Sequence, residues 1–216
     1  MEAEVPAAGS ATVPAGAPVG PAVVPAARAS GRSAGRLRTI LVLGSAAILV
    51  IAAVWFVDQP GSETNVRAGT APAGQAPRIG DAPPDFSGTA IDGTAVSMTA
   101  LKGQPTWLTF GASWCPDCRA EATDLQAAYV KYQPQGLALL GVFIDEPESA
   151  VVDYAKRVGF TFPLVADTQG TIADVYRTYG IPIHFFIGRD GTIRDVRIGR
   201  LTPADMDQLV QQIVNG

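Results

Sequence analysis

The chain has 216 residues, and its 16 lysines and arginines against 20 aspartates and glutamates give a net charge of −4. An acidic chain lacks the basic surface that nucleic acids and anionic lipids attract, so we expect protein partners and no nucleic acid. The length suffices for one domain of ordinary size with extensions. Changes of composition along the chain indicate that such extensions are present.

Residues 1–37 are rich in Ala, Pro, Gly and Val and contain no aromatic side chain. A segment of this composition cannot bury enough apolar surface to offset the entropy lost on ordering. We therefore expect a disordered tail.

An uninterrupted apolar run of 18 residues, ILVLGSAAILVIAAVWFV, follows at residues 40–57. As a helix it spans about 27 Å, close to the ~30 Å hydrocarbon core of a bilayer. Four arginines precede the run, at positions 28, 32, 36 and 38, whereas Asp58 and Glu63 follow it. By the positive-inside rule the tail stays in the cytoplasm. The pattern predicts a transmembrane anchor at residues 38–57, inserted in the lipid bilayer through residues 40–57, in a single-pass protein of the cell membrane with an extracytoplasmic C-terminal domain.

A cleavable signal peptide is the alternative to a retained anchor, since it shares the basic flank. Its apolar core is normally shorter, and the best small-x-small cleavage site, Val66-Arg67-Ala68, lies well past the run. Trp55 and Phe56 suit an anchor at the membrane interface. Both interpretations place the remainder of the chain outside the cytoplasm.

Residues 58–79 are rich in Gly, Pro, Ala, Ser and Thr and show no periodicity, which is typical of a flexible linker. Residues 80–216 then form the one predicted compact domain. Beyond the apolar run the chain carries 12 basic and 18 acidic residues, so the exported part is acidic as well.

Apolar periodicity and turn residues predict the order of elements in this domain. A small two-stranded hairpin is expected at residues 85–97, around Asp92-Gly93. The predicted strands that follow are residues 106–111, 137–144, 183–187 and 193–198, with a brief extended piece at 162–165. The predicted helices are residues 116–132, 147–158 and 172–179 and a last one capped by Thr202. This order implies an α/β fold with a mixed central sheet and helices on both faces.

Cys115 and Cys118 are the only two cysteines and stand at the start of the first predicted helix. This spacing allows one thiol to be exposed and activated while the other closes a disulfide beneath it. The positive end of the helix dipole favours thiolate, which lowers the pKa of Cys115 below the ~8.5 of free cysteine. Cys115 is therefore the predicted nucleophile and Cys118 the resolving thiol.

Other uses of the cysteine pair fit less well. A structural zinc site needs four ligands, and the chain offers two cysteines and one histidine, His184, far along the sequence. A purely structural disulfide that closes so small a loop constrains little of the unfolded chain. We expect a redox pair with no metal and no cofactor.

The motif WCPDC at residues 114–118 and a proline before the last hairpin give the domain a pattern that resembles the thioredoxin fold. Three further motifs, GDAPPDF at 80–86, Asp92-Gly93 and LKG at 101–103, are similar to the TlpA/ResA branch of that superfamily. This branch contains membrane-anchored, extracytoplasmic thiol-disulfide oxidoreductases, and the similarity covers residues 80–214. It implies a thioredoxin-like fold with an N-terminal hairpin extension.

Glu121 lies three residues after Cys118, so both side chains share one helix face, on a stripe that continues with apolar positions. A carboxyl group on a buried stripe is costly unless it is used. The ResA-like pattern Cys-x-x-Cys-x-x-Glu implies that Glu121 shuttles the proton of Cys118. The alternative is a rim carboxylate turned to solvent. Thioredoxin keeps a buried Asp six residues before its first cysteine, where this chain has Thr109, so Glu121 is the nearest predicted base.

The resemblance assigns roles to three further residues. Pro182 occupies the place of the family's cis-proline, which lies against the cysteine pair. Ile181 then pairs with an extended strand of the partner, and Trp114 covers the surface around the active site, so both are expected to bind substrate. His184 either tunes the redox pair or is a packed core residue, and the sequence leaves its role open.

The predicted activity is reduction of protein disulfides outside the cytoplasm, for example in apocytochrome c before haem attachment, with a membrane electron donor as the source of electrons. An oxidase would use the same residues, because direction depends on reduction potential and partners. A Sco-type copper chaperone needs a CxxxC spacing that is absent here. A thiol peroxidase needs a Pro and a Thr upstream of its cysteine, and Leu108 and Ala112 occupy those places.

Overall fold

The structure is a computed structural model that describes residues 43, 48–51, 66–69 and 75–216. The chain divides into two compact units, Met1–Gln59 and Pro60–Gly216. In the first unit the described residues are helical and exposed. Among all described residues, no helix has both the length and the apolar character needed to cross a bilayer. The predicted tail, most of the predicted anchor and much of the predicted linker lie outside the described residues.

In the second unit the described residues form eight strands and four α-helices. The strands are β1 (Arg67–Ala68), β2 (Phe86–Thr89), β3 (Ala95–Ser97), β4 (Thr106–Gly111), β5 (Ala138–Ile144), β6 (Leu164–Asp167), β7 (Ile183–Ile187) and β8 (Ile193–Ile198). The helices are α1 (Pro116–Tyr132), α2 (Glu148–Val158), α3 (Thr171–Tyr176) and α4 (Pro203–Val214). The order confirms the predicted alternation of strands and helices.

Five strands form the central sheet, in the order β6-β5-β4-β7-β8. The β4–β5 and β5–β6 pairs are parallel, because the helices α1 and α2 cross over between them. The β4–β7 and β7–β8 pairs are antiparallel, and Gly191, at φ 79°, turns the chain between the last two strands. The sheet is mixed, as predicted, with β4 at its centre.

Side chains of β4 alternate between two hydrophobic cores on opposite faces of the sheet. Trp107 packs with the apolar residues of α1, α2 and α4 on one face. Leu108 and Phe110 pack on the other face, with α3 and the hairpin β2–β3. Alternate residues of β4, beginning at Trp107, therefore face the helix that carries the cysteine pair.

The front of the domain contains one strand more than expected. Hairpin β2–β3 turns at Gly93 as predicted, but Arg67–Ala68 adds a third strand on the outer edge of β2. The backbone N–H of Gly69 continues this pairing to the Asp85 carbonyl at 2.7 Å. Part of the predicted linker thus pairs with strand β2. The side-chain pattern does not indicate this pairing, because backbone hydrogen bonds do not require apolar periodicity in the side chains.

Several element ends differ from the sequence-based bounds. Helix α3 stops at Tyr176, three residues early, where Arg177 adopts a left-handed conformation with φ 54°. Strand β6 begins later than the extended piece expected at 162–165, and its last residue, Asp167, accepts hydrogen bonds from the first turn of α3. Thr202 caps α4 through the expected capping box with Asp205.

Candidate active site

Cys115 is the N-cap residue of α1 and forms a disulfide with Cys118, with a Cα–Cα distance of 5.3 Å. The Sγ atom of Cys115 accepts the backbone N–H of Cys118 at 3.2 Å. Pro116 fills the first helical position, where its missing N–H leaves no hydrogen bond unmade. The sulfur of Cys115 thus faces the positive end of a 17-residue helix, which is the arrangement that stabilises a thiolate.

Both cysteines are buried in this oxidised form, with Cys115 4% and Cys118 8% exposed. The sequence pattern predicted an exposed first thiol. The sulfurs are covered because Ala112 and Ile181 pack against them. Trp114, directly before the pair, is 54% exposed and lies at the surface, as expected.

The loop before β7 lies against the cysteine pair. The Ile181–Pro182 peptide bond is cis, as the resemblance implied. The carbonyl oxygen of Ile181 lies 3.8 Å from Sγ of Cys115, and the Pro182 carbonyl accepts the N–H of Gly199 at 2.8 Å, which ties the loop to the end of β8. The structure therefore brings Ile181 to the predicted nucleophile, with Pro182 next to it in the chain.

Glu121 is 2% exposed, so the alternative of a rim carboxylate turned to solvent is wrong. Its Oε2 atom accepts the backbone N–H of Leu201 at 2.9 Å. Burial raises the pKa of Glu121 to about 7; the Leu201 N–H and the charge of Arg200 oppose this rise, whereas Asp117 and Asp124 add to it. A carboxyl group with such a pKa can take up and release a proton near neutral pH.

His184 is fully buried, and its Nε2 lies 3.4 Å from Oε1 of Glu121 without making an aligned hydrogen bond. Its Nδ1 lies 3.3 Å from Nε1 of Trp107 and 2.9 Å from Oγ1 of Thr109. Burial lowers the pKa of His184 to about 3, against the Gly199 backbone, which raises it. The imidazole is therefore neutral at physiological pH.

Sequence reasoning did not pair His184 with Glu121. The signal lies in the register of the sheet, because β7 pairs with β4 so that His184 is opposite Thr109, on the face that α1 covers. The alternation of β7 indicates that His184 shares a face with Phe186. Only the register and the helix placement show that this face meets Glu121.

A second buried carboxylate, Glu146, supports the turn that leads into the cysteine pair. Its Oε1 accepts the backbone N–H of Ser113 at 2.7 Å, and its Oε2 accepts the Ser113 hydroxyl. Sequence reasoning missed this contact too. A usable signal was present, because Glu146 follows β5 and Ser113 follows β4, and the carboxyl ends of two paired parallel strands meet at one sheet edge.

The donor atoms around the pair lie close to one another. The two sulfurs are joined, and the ring nitrogens of His184 face Trp107, Thr109 and Glu121. Within the part of the chain that the structure describes, no three His, Cys, Asp or Glu side chains converge in a way that would hold a metal ion.

Comparison with known proteins gives the family. Residues 79–196 match the AhpC/TSA family. The thiol-disulfide oxidoreductase ResA of Geobacillus thermodenitrificans is 31% identical over 135 residues, which cover 62% of this chain and 78% of that protein. ResA of Oceanobacillus iheyensis is 33% identical over 129 residues, 58% of this chain and 67% of its own length. The chain belongs to the AhpC/TSA family and is a ResA-like thiol-disulfide oxidoreductase.

Solved structures of the thioredoxin family share the fold of this oxidoreductase. A thiol:disulfide interchange protein of Chlorobium tepidum is 30% identical, with a TM-score of 0.57 over 65% of this chain and 99% of that one. StoA of Bacillus subtilis is 30% identical, with a TM-score of 0.53 over 59% of this chain and 96% of its own. The predicted thioredoxin-like fold is confirmed, and the roles of individual residues stay predictions.

Proposed function

We propose that this oxidoreductase reduces disulfides of other proteins outside the cytoplasmic membrane, with Cys115 as nucleophile and Cys118 as resolving thiol. The observation that carries the proposal is the Cys115–Cys118 disulfide at the N-terminus of α1, with the buried carboxyl group of Glu121 one turn further along the helix. A helix N-terminus activates the outer sulfur, and a nearby base serves the inner one.

The reaction begins from the dithiol form. The thiolate of Cys115 attacks one sulfur of the partner's disulfide, which forms a mixed disulfide and expels the partner's other sulfur as a thiolate. The N–H groups at the start of α1 stabilise the Cys115 thiolate before the attack, as the hydrogen bond from the Cys118 N–H to Sγ illustrates. The expelled partner thiolate takes a proton from water.

The second step releases the partner. The Cys118 thiol gives its proton to the Glu121 carboxylate, and the resulting thiolate attacks Sγ of Cys115. This forms the observed intramolecular disulfide and expels the partner's second sulfur. The partner has gained two electrons and the enzyme has lost two. Glu121, whose pKa burial raises to about 7, then releases its proton.

The oxidised pair needs two electrons to return to the dithiol form, and we propose a dithiol donor in the membrane as their source. The apolar run at residues 40–57 and its basic flank support an anchor beside such a donor. Two exposed aromatic side chains suit protein partners, since Trp114 directly precedes the cysteine pair and Tyr179, 88% exposed, lies two residues before Ile181 in the sequence. Apocytochrome c is a candidate partner.

Trapping with the full-length protein tests the roles of the two cysteines. Cys118→Ser keeps the nucleophile but cannot resolve the mixed disulfide, so we expect it to accumulate a covalent complex with a CxxCH peptide disulfide. Cys115→Ser is the matched control and should trap nothing. The wild type should reduce insulin, and both variants should fail. A Cys118→Ser protein that traps no substrate, or equal trapping by both variants, would contradict the proposal.

The reduction potential of the pair decides direction. Equilibration of the full-length protein with glutathione buffers gives the potential of the Cys115–Cys118 couple. A value near the about −270 mV of thioredoxin supports a reductase, whereas a value near the about −120 mV of DsbA contradicts one.

Fusion to reporters tests the location. Alkaline phosphatase fused after residue 216 should be active, because it requires export, whereas the same fusion after residue 37 should be inactive. The reverse pattern would contradict an extracytoplasmic domain.

A further inference from the structure

His184 and Glu121 form a buried pair between β7 and α1. His184 is fully buried, Glu121 is 2% exposed, and Nε2 of the imidazole lies 3.4 Å from Oε1 of the carboxyl group. Two titratable groups without access to water must share their protons with each other or with fixed neighbours. The groups around the ring therefore decide which nitrogen carries the proton.

Trp107 decides the tautomer of His184. An indole N–H only donates, and Nε1 of Trp107 lies 3.3 Å from Nδ1 of His184, so Nδ1 must be the acceptor. The hydroxyl of Thr109, 2.9 Å from the same Nδ1, can donate as well. A neutral imidazole with an unprotonated Nδ1 carries its proton on Nε2. That N–H is the atom that faces Glu121.

The carboxyl group consequently has one donor facing each oxygen. Oε2 accepts the Leu201 N–H at 2.9 Å. Oε1 lies 3.4 Å from the Nε2–H of His184, which makes no aligned hydrogen bond in this oxidised form, and the Gly199 backbone also interacts with the imidazole. Two donors favour the ionised carboxylate, which accepts from both, over the acid, which needs one oxygen for its own proton. At 3.4 Å the distance between Nε2 and Oε1 is longer than that of an ordinary hydrogen bond. A full negative charge on Oε1 favours a shorter distance between these two atoms.

We propose that His184, fixed by Trp107 in the Nε2–H tautomer, is a positioning residue that donates to Oε1 of Glu121 and holds this side chain in the ionised form that accepts the Cys118 proton. The inference rests on the proposed function, in which the Glu121 carboxylate accepts the proton of Cys118. Without His184, Glu121 retains its proton to higher pH, so a smaller fraction of the carboxyl groups is free to accept the proton of Cys118.

Other charged groups act on Glu121 from outside the pair. On its own helix Asp117 and Asp124 raise the pKa of Glu121, and Arg200, which follows β8, lowers it. The phenol of Tyr154 in α2 also interacts with Glu121. These groups also act in the His184 variants below, so the comparison between variants isolates the contribution of the imidazole.

The test uses two variants of similar polarity in the full-length protein. In His184→Gln the amide nitrogen reaches about as far as Nε2 and retains the donor to Glu121. In His184→Asn the shorter side chain can still accept from Trp107 but cannot reach Oε1. Titration of the 13C-labelled Glu121 carboxyl carbon by NMR, assigned with Glu121→Gln, measures the midpoint in each protein. We expect His184→Gln to titrate near the wild type and His184→Asn about one pH unit higher.

A second measurement needs no substitution. The 15N shifts of His184 in the wild type distinguish a protonated Nε2 from a protonated Nδ1, and we expect Nε2 to carry the proton at neutral pH. A proton on Nδ1 would overturn the proposal even if neither variant folds. An unchanged Glu121 midpoint in a folded His184→Asn protein would overturn it as well.

The two proposals fail separately. The titration needs no substrate, whereas trapping by Cys118→Ser needs no titration of Glu121. Normal trapping together with a Glu121 midpoint that ignores His184 overturns only the role of His184. A His184-dependent midpoint without any trapping overturns only the proposed reductase.

Discussion

The carbonyl oxygen of Ile181 lies 3.8 Å from Sγ of Cys115, and the Ile181 side chain packs against the cysteine pair. This side chain is apolar and half-buried, so the loop brings no charge to the nucleophile. The start of α1, with Asp117 in its first turn, then contributes to the electrostatic field at Cys115. A charge placed at position 181 should therefore change the reactivity of Cys115.

Ile181→Glu and Ile181→Lys form a pair of opposite sign. A nearby carboxylate disfavours the Cys115 thiolate and an ammonium favours it, so we expect alkylation of the reduced protein by iodoacetamide below neutral pH to slow in the first variant and to speed up in the second, each by about threefold to tenfold. The pH dependence of the alkylation rate gives the pKa of Cys115 in each protein. Shifts of the same direction in both variants would indicate a steric effect instead.

Ser113 and Glu146 provide a prediction about the turn before the nucleophile. Glu146→Ala leaves the half-buried N–H of Ser113 without its acceptor, which should cost about 1–2 kcal/mol of unfolding free energy and slow insulin reduction. Ser113→Ala is the matched control, because it removes the hydroxyl contact but keeps the backbone hydrogen bond. Urea denaturation should find the control less destabilised. Equal losses would mean that the backbone contact contributes little.

The sequence predicted the fold well where one local signal determined an element. Pro116 and the stripe from Cys118 to Tyr132 defined α1 to the residue, and Thr202 marked the start of α4. Strand β1 was missed because its two residues are held by backbone pairing with β2, which leaves no trace in side-chain periodicity. Long amphipathic elements carry their signal in sequence, and short edge strands do not.

The candidate site divides in the same way. Cys115, Cys118 and Glu121 follow one another on a single helix, so spacing alone brought them together. His184 reaches Glu121 only through the register of β7 against β4, which depends on tertiary packing. The proximity of Cys115, Cys118 and Glu121 was therefore predictable, and the contact between His184 and Glu121 was not.

Glu121 should make the stability of the protein depend on pH. Burial raises the pKa of Glu121 from 4.5 to about 7 in the folded protein, so the folded state binds more protons than the unfolded state between these values. The stability that Glu121 contributes is fully present below pH 4.5, its pKa in the unfolded protein. It is lost as the pH rises through about 7, its pKa in the folded protein. We expect the wild type to lose about 3 kcal/mol more than Glu121→Gln between about pH 4.5 and pH 8.

His184 acts on the pH dependence of stability in the opposite direction. Burial lowers the pKa of His184 from 6.5 to about 3. The stability that His184 contributes is therefore fully present above pH 6.5 and is lost as the pH falls towards about 3. Both proteins contain His184, so the difference between them reports Glu121 together with the effect of its carboxyl group on His184. Urea denaturation at several pH values measures that difference. Parallel stability curves would contradict the raised pKa of Glu121.

Arg200 and His184 should both lower the pKa of Glu121, but salt should weaken only the effect of Arg200. Arg200 is exposed and lowers the pKa of Glu121 through its charge alone, whereas His184 is buried beside the carboxyl group. We expect Arg200→Gln to raise the titration midpoint of Glu121 by a few tenths of a pH unit at low salt and to lose this effect near about 1 M salt, where the Debye length is about 3 Å.

Arg200→Lys retains the charge and should titrate near the wild type at every salt concentration. The shift caused by His184→Asn should persist at high salt, because ions do not enter the buried contact between Nε2 and Oε1. The 13C signal of Glu121 measures all of these midpoints. If salt removed the effect of His184→Asn, the imidazole would act on Glu121 through solvent rather than through a direct contact, and the assignment of a donor at Oε1 would be wrong.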